Sequence, residues 1–178
     1  MNVQPRFDVF VSYAHVDDDA LEIGAQGFVT RICRYIQIAG RIKRGKPISL
    51  FFDQNMATGT AFDSEIADAL RASTIFLPIL SASWENSDYC DRELRAFKST
   101  LVSDLEGSTR KPVFPILFEK SVTDIQGELR NVHIKHSFQF NMTRDQFEAA
   151  AEKMTTELVD QLKFFEERGR LKATGVGV

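Results

Sequence analysis

A chain of 178 residues is long enough for one domain and short for a two-domain enzyme. Its apolar and charged fractions, 43% and 26%, are those of a globular protein, which excludes the disordered and fibrous classes. The net charge of −3, without a long basic block, argues against a protein that binds the backbone of a nucleic acid.

Three further features of the sequence bear on its compartment, on metal binding and on membrane association: the cysteines, the histidines and the apolar runs. Cys33 and Cys90 match no CxxC or Cys/His spacing, which indicates reduced thiols in a cytoplasmic protein. With three histidines in the chain, we expect no metal site. The longest apolar runs are far below the ~20 residues that cross a bilayer, and the N-terminus lacks a signal-peptide core, so we expect no membrane partner.

Short apolar runs alternate along the chain with stretches of helical spacing, which predicts an α/β fold. We expect a flavodoxin-like five-stranded parallel sheet with helices on both faces. The third and fourth strands are apolar on both faces, as central strands are, although each contains a proline, which cannot donate to the hydrogen-bond ladder. The fifth strand alternates and suits an edge. The predicted strands cover 7–12, 48–52, 74–80, 113–118 and 132–140.

Four helices are predicted between and after these strands. The first runs from about Asp18 to Gly40, and the second opens at a Thr60/Asp63 capping box. The third covers about 88–97, and the last opens at Thr143 with Gln146 three residues later. We assign 1–167 to one domain and 168–178 to a flexible tail or a truncated linker.

A ligand site in such a sheet lies outside the carboxyl ends of the strands, where strand order reverses. In flavodoxin-like order the first and third strands flank that point, so the candidate loops are 13–17, 53–59 and 81–87. The chain has no GxxxxGK[ST] and no GxGxxG, which excludes the P-loop and classical dinucleotide sites. Asp8 lies at the wrong end of the first strand for a phospho-acceptor site.

The helix after the third strand carries the most informative side chain. At about 100° per residue, Glu93 falls on the shoulder of the apolar stripe, beside Tyr89 one turn earlier. This places a carboxylate and an aromatic ring at the rim of the crevice. The alternative is an ordinary boundary residue paired with a neighbouring arginine. Cys90 lies on the apolar stripe and is predicted to be a packed thiol with a raised pKa.

Three segments, in order and at the expected spacing, resemble Toll/interleukin-1 receptor (TIR) domains over about residues 5–165. The first, 7–13, reads FDVFVSY, and the second is Phe52-Asp53 with Gly59, similar to the second strand and BB loop of that family. The third, LSASW at 80–84 followed by SDYCDREL at 87–94, resembles the S-x-x-[WY]-C-x-x-E-L segment of the enzymatic members.

The resemblance implies an enzyme that cleaves NAD⁺ between nicotinamide and ribose, giving ADP-ribose or a cyclic isomer, with NAD⁺ as substrate and no cofactor. It implies Glu93 as the catalytic residue and Tyr89 as a ring that stacks on nicotinamide. It also implies self-association through the BB loop, contacts with other TIR or sensor domains, and a role in bacterial immune or antiviral signalling. Further substrate-binding candidates are Ser12, Tyr13, Ala14, His15, Asp53, Gly59 and Trp84.

Several alternatives stay open at the level of sequence. The main one is a non-enzymatic TIR scaffold that acts by homotypic contacts, and a second is a nucleoside deoxyribosyltransferase-like enzyme of similar fold. His15 could be a solvated loop residue, and Trp84 either a ligand contact or a lid over the core. The acidic run 17–19 is most simply charge that complements a helix dipole.

Overall fold

The computed structural model describes residues 7–20, 24–52, 60–100, 112–125 and 127–173. Its strands are β1 (Phe7–Ser12), β2 (Leu50–Phe51), β3 (Ser73–Leu80), β4 (Ile116–Phe118) and β5 (His136–Phe138). Its α-helices are α1 (Phe28–Arg44), α2 (Thr60–Arg71), α3 (Ala82–Glu85), α4 (Asp88–Thr100) and α5 (Arg144–Ala173). Short 3₁₀ turns cover His15–Asp18, Val122–Asp124 and Gly127–Asn131.

The five strands form one parallel sheet in the order β2-β1-β3-β4-β5. This confirms the flavodoxin-like order and places β5 at an edge, as predicted. β1 lies between β2 and β3, so strand order reverses on its two sides. The longest pairing runs between β1 and β3, from Phe7 opposite Ser73 to Ser12 opposite Pro78.

Helices cover both faces of the sheet, and the alternation of side chains along the strands explains why. Val9 and Val11 belong to the core cluster that also contains α1 and α5, whereas Phe10 belongs to the cluster that contains α2 and α4. In β3, Ile75 and Phe76 divide between the clusters in the same way. Both faces of these strands are therefore buried, which accounts for their continuous apolar sequence.

The predicted limits of the first helix are wrong at both ends. α1 begins at Phe28, ten residues after Asp18, because Gly27 lies against the backbone of Asp18, where an added Cβ would be 1.8 Å from the carbonyl oxygen. The helix continues through Gly40, which is buried, and ends at Gly45, whose φ of 75° is the left-handed conformation of a C-cap.

The limits of several strands and of the last helix also differ from the predicted ones. β4 begins immediately after Pro115, and Val113 makes only an isolated bridge to Phe76, because proline has no N–H to donate to the ladder. β2 and β5 are shorter than predicted. The capping box of α5 is confirmed, since Thr143 N–H donates to Gln146 at 2.9 Å and Gln146 N–H to Thr143 Oγ1 at 3.3 Å. The tail predicted from 168 is helical to Ala173, through Gly169.

A charged cluster fixes the opposite end of β1 from the predicted site. The guanidinium of Arg44, 3% exposed, donates to both carboxylate oxygens of Asp8 at 2.7 and 2.8 Å and also pairs with Glu166. Asp8 Oδ2 accepts from Ser49 N–H as well, at 2.7 Å. This cluster joins β1, the end of α1, the approach to β2 and α5, which gives Asp8 a structural role.

We expect Arg44→Ala to lower the free energy of unfolding by about 2–4 kcal/mol, because it leaves two carboxylates without their shared buried partner. The matched control is Arg144→Ala, which removes an exposed arginine paired with Glu148 on the surface of α5 and should change the stability little. Urea denaturation of the three proteins measures both effects. Equal losses for the two variants would contradict a special role for the Arg44 cluster.

Candidate functional site

The candidate site lies where β1 and β3 end side by side. Ser12 is the last residue of β1, and Ser81 directly follows β3. α3 and α4 begin shortly after the end of β3. The segment 81–93, which contains α3 and the start of α4, therefore lies at the carboxyl edge of the sheet. This is the position that strand order predicts for a ligand site.

Glu93 is the buried acid of this edge. Its side chain lies on α4 with the residue 4% exposed, and Ser12 Oγ donates a hydrogen bond of 2.5 Å to Glu93 Oε2. The sequence predicts Glu93 on the shoulder of the apolar stripe at the rim of the crevice, and the structure shows that its side chain is buried there. The alternative of an arginine partner is also wrong, since Arg95 pairs with Asp91 at 2.9 Å and the partner of Glu93 is Ser12.

Burial has a direct consequence for the charge of this group. Desolvation raises the pKa of Glu93 from 4.5 to about 8, and hydrogen bonds with Ser12 and Tyr89 lower it only in part. Tyr89, one turn earlier on α4, is half-buried, and the guanidinium of Arg92 lies 5.5 Å from its ring centroid. The predicted pairing of a carboxylate with an aromatic ring is thus present, and the Tyr89 hydroxyl also lowers the pKa of the carboxyl by hydrogen bonding.

Trp84 is a structural member of the same group. The residue is 6% exposed, and its indole Nε1–H donates to Ser12 Oγ at 3.0 Å. Its backbone N–H donates to Ser81 Oγ, also at 3.0 Å, which makes Ser81 the N-cap of α3. Of the two alternatives for Trp84, the structure favours a buried residue that closes the core and contacts the site from within.

A second buried acid, Asp17, is a site residue that the sequence analysis missed. It is 6% exposed, and Ser81 Oγ donates to its Oδ2 at 2.6 Å. Burial raises the pKa of Asp17, and hydrogen bonds with Ser81 and with the backbone of Ala14 offset only part of that rise. The signal was available, because Asp17 follows β1 and Ser81 follows β3, and the ends of adjacent parallel strands meet. Only Asp18 serves the helix terminus, accepting from Thr30 N–H at 2.7 Å.

The remaining predicted residues lie in different surroundings. The Tyr13 side chain is buried in the core cluster of α1 and α5, and its ring centroid is 5.6 Å from that of the exposed His15. Ala14 is half-buried and precedes the 3₁₀ turn. Asp53 and Gly59 lie outside the described residues. Cys90 is 1% exposed with a pKa raised to about 12 by burial, which confirms a packed thiol.

The described residues were also searched for metal-binding clusters and for membrane-spanning helices. Within the described ranges, no group of three or more His, Cys, Asp or Glu side chains is arranged to hold a metal ion. Among those same residues, no helix has the length and apolar character needed to cross a membrane.

The chain was compared with known families and structures. A family model described as TIR domain matches residues 9–155, more than half of the chain. The chain belongs to the TIR domain family. This confirms the family that the three segments predicted and replaces the deoxyribosyltransferase alternative.

A solved structure to which the chain is similar supports this fold. The TIR domain of the Toll-related receptor TRR-2 from Hydra magnipapillata is similar at 18% identity with a TM-score of 0.52, over 85% of this chain and 98% of that one. The TIR domains of the activated Roq1 resistosome, which recognises the pathogen effector XopQ, match at 17% identity with a TM-score of 0.46, over 86% of this chain and 84% of that one. No curated protein matches the chain significantly.

The raised pKa of Glu93 predicts how the stability of this TIR domain depends on pH. The unfolded carboxyl ionises near pH 4.5 and the folded one near 8, so the folded state holds an extra proton between these values. The stability that the protonated form provides is complete below pH 4.5 and is lost as pH rises through about 8. The loss is on the order of 2–4 kcal/mol between pH 5 and 8.5.

Glu93→Gln stays neutral and should abolish this part of the pH dependence, so the variant is less destabilised than the unmodified chain at pH 8.5. Urea denaturation at both pH values, in reducing buffer, measures the difference. Glu167→Gln, on the exposed surface of α5, is the control and should follow the unmodified chain. A pH dependence of stability that is identical in all three proteins would show that the pKa of Glu93 is not raised in the folded state.

Proposed function

We propose that this TIR domain cleaves NAD⁺ at the bond between nicotinamide and ribose, with Glu93 as the catalytic residue. The observation that carries the proposal is the buried Glu93 carboxyl, held by Ser12 at the carboxyl edge of β1 and β3. Within the described ranges this acid has no cationic partner, and burying such an acid costs stability, so its presence at this edge is typical of a functional site. NAD⁺ is the substrate, and the reaction needs no further cofactor.

The chemistry suits a single carboxylate. The C–N bond breaks with its electron pair moving to the pyridinium ring, so nicotinamide leaves as a neutral molecule and needs no general acid, unlike the leaving group of an ordinary glycoside. Positive charge develops on the ribose carbon, and the carboxylate stabilises it. Water then adds to that carbon and releases a proton to give ADP-ribose, or a nitrogen of the substrate adds instead to give a cyclic isomer.

The surroundings of Glu93 favour this role in the ionised form. A carboxylate removed from water interacts more strongly with a nearby cation than one in solvent. The cationic pyridinium of bound NAD⁺ would therefore lower the pKa of Glu93 and favour its charged form at the moment when that form is needed. Ser12 keeps one carboxylate oxygen in a fixed position throughout.

The other residues have supporting roles in the proposal. Tyr89 lies one turn from Glu93 on α4 and presents a half-buried ring that can stack on nicotinamide. Ala14 and His15, in the loop after β1, line the nucleotide, as the family resemblance implies. Tyr13 holds that loop against the core by its buried ring. We place this activity in the cytoplasm, in bacterial immune or antiviral signalling.

Glu93→Gln should reduce the turnover of NAD⁺ by ~10²-fold or more, because it keeps the shape of the side chain and removes the charge that stabilises the transition state. Release of nicotinamide by the purified domain, followed by chromatography, is the measurement. The exposed Glu167→Gln is again the matched control and should retain the activity of the unmodified chain.

The same assay tests the alternative function. If concentrated, correctly folded protein consumes no NAD⁺, the domain is a scaffold that acts through homotypic contacts. If Glu93→Gln cleaves NAD⁺ as fast as the unmodified chain, the domain is an enzyme with another catalytic residue.

We further propose that the activity depends on self-association. In the single chain Glu93 is 4% exposed and its pKa favours the protonated form at pH 7. Substrate reaches the carboxyl only after its neighbours move, and contact with a second copy is a source of energy for that movement. The sequence predicts the BB loop, which includes Asp53 and Gly59, as the contact segment.

Specific activity should therefore rise with protein concentration from nanomolar to high micromolar, in parallel with the assembled fraction measured by light scattering. Gly59→Pro should remove the rise while leaving the thermal unfolding of the monomer nearly unchanged. A constant specific activity over this range would indicate a self-sufficient monomer and contradict the proposal.

A further inference from the structure

Two hydroxyl–carboxyl pairs lie side by side at the edge of the sheet. In one, Ser12 Oγ donates to Glu93 at 2.5 Å, and in the other, Ser81 Oγ donates to Asp17 at 2.6 Å. All four residues are at least 94% buried, Asp17 being the most exposed at 6%. The proposed function uses only the first pair, and nothing in it explains the second.

Trp84 connects the two pairs by donating one N–H group to each serine hydroxyl. Its indole N–H can only donate, and it donates to Ser12 Oγ at 3.0 Å. Ser12 accepts this bond and donates its own proton to Glu93. The Trp84 backbone N–H donates to Ser81 Oγ at 3.0 Å, and Ser81 donates its own proton to Asp17.

The chain of contacts thus runs from Asp17 to Glu93 without a gap. Asp17 accepts a hydrogen bond from the Ser81 hydroxyl, Ser81 caps the helix that contains Trp84, and the Trp84 indole donates to the Ser12 hydroxyl, which in turn bonds Glu93. Each link is buried, where hydrogen bonds are stronger and an unsatisfied group is costly. A change at Asp17 or Ser81 consequently has to move Trp84 or leave a buried donor unpaired.

Cys90 gives an independent sign that the two acids belong to one region. The charges of Glu93 and of Asp17 both raise the pKa of this buried thiol, and the thiol also interacts with Ser12. Both carboxyls are therefore close enough to act electrostatically on the same thiol, after its burial, which is the main cause of the raised pKa.

We propose that Asp17 and Ser81 are positioning residues, which hold the Trp84 indole against Ser12 and thereby fix the Glu93 carboxyl for reaction. This inference rests on the proposed function, and it adds two residues that do not themselves touch the substrate. Asp17 provides a charged acceptor for Ser81, which is stronger than a neutral one. Ser81 provides the N-cap that sets where the helix carrying Trp84 begins.

The decisive variant is Ser81→Ala, because it removes one hydroxyl from the middle of the chain of contacts. We expect kcat for NAD⁺ cleavage to fall about tenfold or more with little change in KM, since misplacing a catalytic group by an ångström can cost as much as ~10²-fold. The fluorescence of Trp84 should shift as well, and it reports this site alone because Trp84 is the only tryptophan in the chain.

Asp17→Asn is the second variant, and it guards against a folding failure of the first. It keeps the size of the side chain and an acceptor oxygen but removes the charge, so both effects should be in the same direction and smaller. Ser81→Thr, which keeps the hydroxyl, should restore most of the activity lost in Ser81→Ala. The matched control is Ser121→Ala, which removes the N-cap serine of the exposed 3₁₀ turn Val122–Asp124 and should alter neither kcat nor the fluorescence.

The outcomes are distinct. A fall in kcat with a change of Trp84 fluorescence in the two site variants, and neither change in the control, supports the inference. Unchanged fluorescence in folded Ser81→Ala overturns it, as does unchanged kcat or an effect on KM alone. Absence of NAD⁺ cleavage by the unmodified chain overturns the proposed function instead, and the fluorescence comparison then still decides whether Asp17 and Ser81 hold Trp84.

Discussion

The pairing of β1 with β3 is the constraint on which the site depends. Because the two strands are parallel and in register from Phe7 opposite Ser73 to Ser12 opposite Pro78, their carboxyl ends lie at the same edge of the sheet, with β3 extending two residues further to Leu80. The residues that follow, Asp17 after β1 and Ser81 after β3, are thereby brought within hydrogen-bonding distance although 64 positions separate them. The continuous apolar sequence of both strands is what holds this register, since helices bury both faces and a shift by one residue would exchange them.

This arrangement buries two acids at the end of a hydrophobic sheet. Transfer of a carboxyl from water into such surroundings is unfavourable unless its oxygens accept hydrogen bonds, and two serine hydroxyls provide these at 2.5 and 2.6 Å. The bonds compensate only in part, since the pKa of each acid is still raised. The Asp8–Arg44 pair at the other end of β1 differs, because there the acid has a cation as its partner. Among the residues that the structure describes, Glu93 has no cationic partner, and this difference separates a structural acid from a candidate catalytic one.

Much of the fold could be predicted from the sequence, because the alternation of apolar runs depends directly on which faces are buried. Boundaries were harder to predict where a local pattern has two explanations. The spacing of Leu21, Ala25 and Phe28 fits a helix, yet the close approach of Gly27 to Asp18 delays the helix to Phe28. Gly40 fits a C-cap by sequence, but it is a packed helical residue, and Gly45 ends the helix. Both errors arise from tertiary contacts that the periodicity of a single helix does not report.

The same distinction applies to the site. Glu93 and Tyr89 could be predicted together because one helical turn relates them, and the family resemblance gave the carboxylate its role. The burial of Glu93 and its bond to Ser12 could not be predicted from helical spacing, which fixes direction on the helix but not what lies opposite. Asp17 was assigned to a helix dipole because it stands in an acidic run, whereas its partner lies at the end of another strand.

The burial of Glu93 has opposite consequences for the empty and the occupied site. In the empty site it favours the protonated, neutral carboxyl, and a neutral group stabilises no positive charge. With a cation in contact, the same low-dielectric surroundings strengthen the attraction and favour the carboxylate. We therefore expect a site of this kind to stabilise positive charge poorly until a cationic substrate is in contact with the acid. Any interaction that brings the substrate into contact should then increase that stabilisation. The proposed dependence on assembly and the proposed selectivity for a cationic leaving group both follow from one property, a buried acid whose partners among the described residues are hydroxyl groups and not cations.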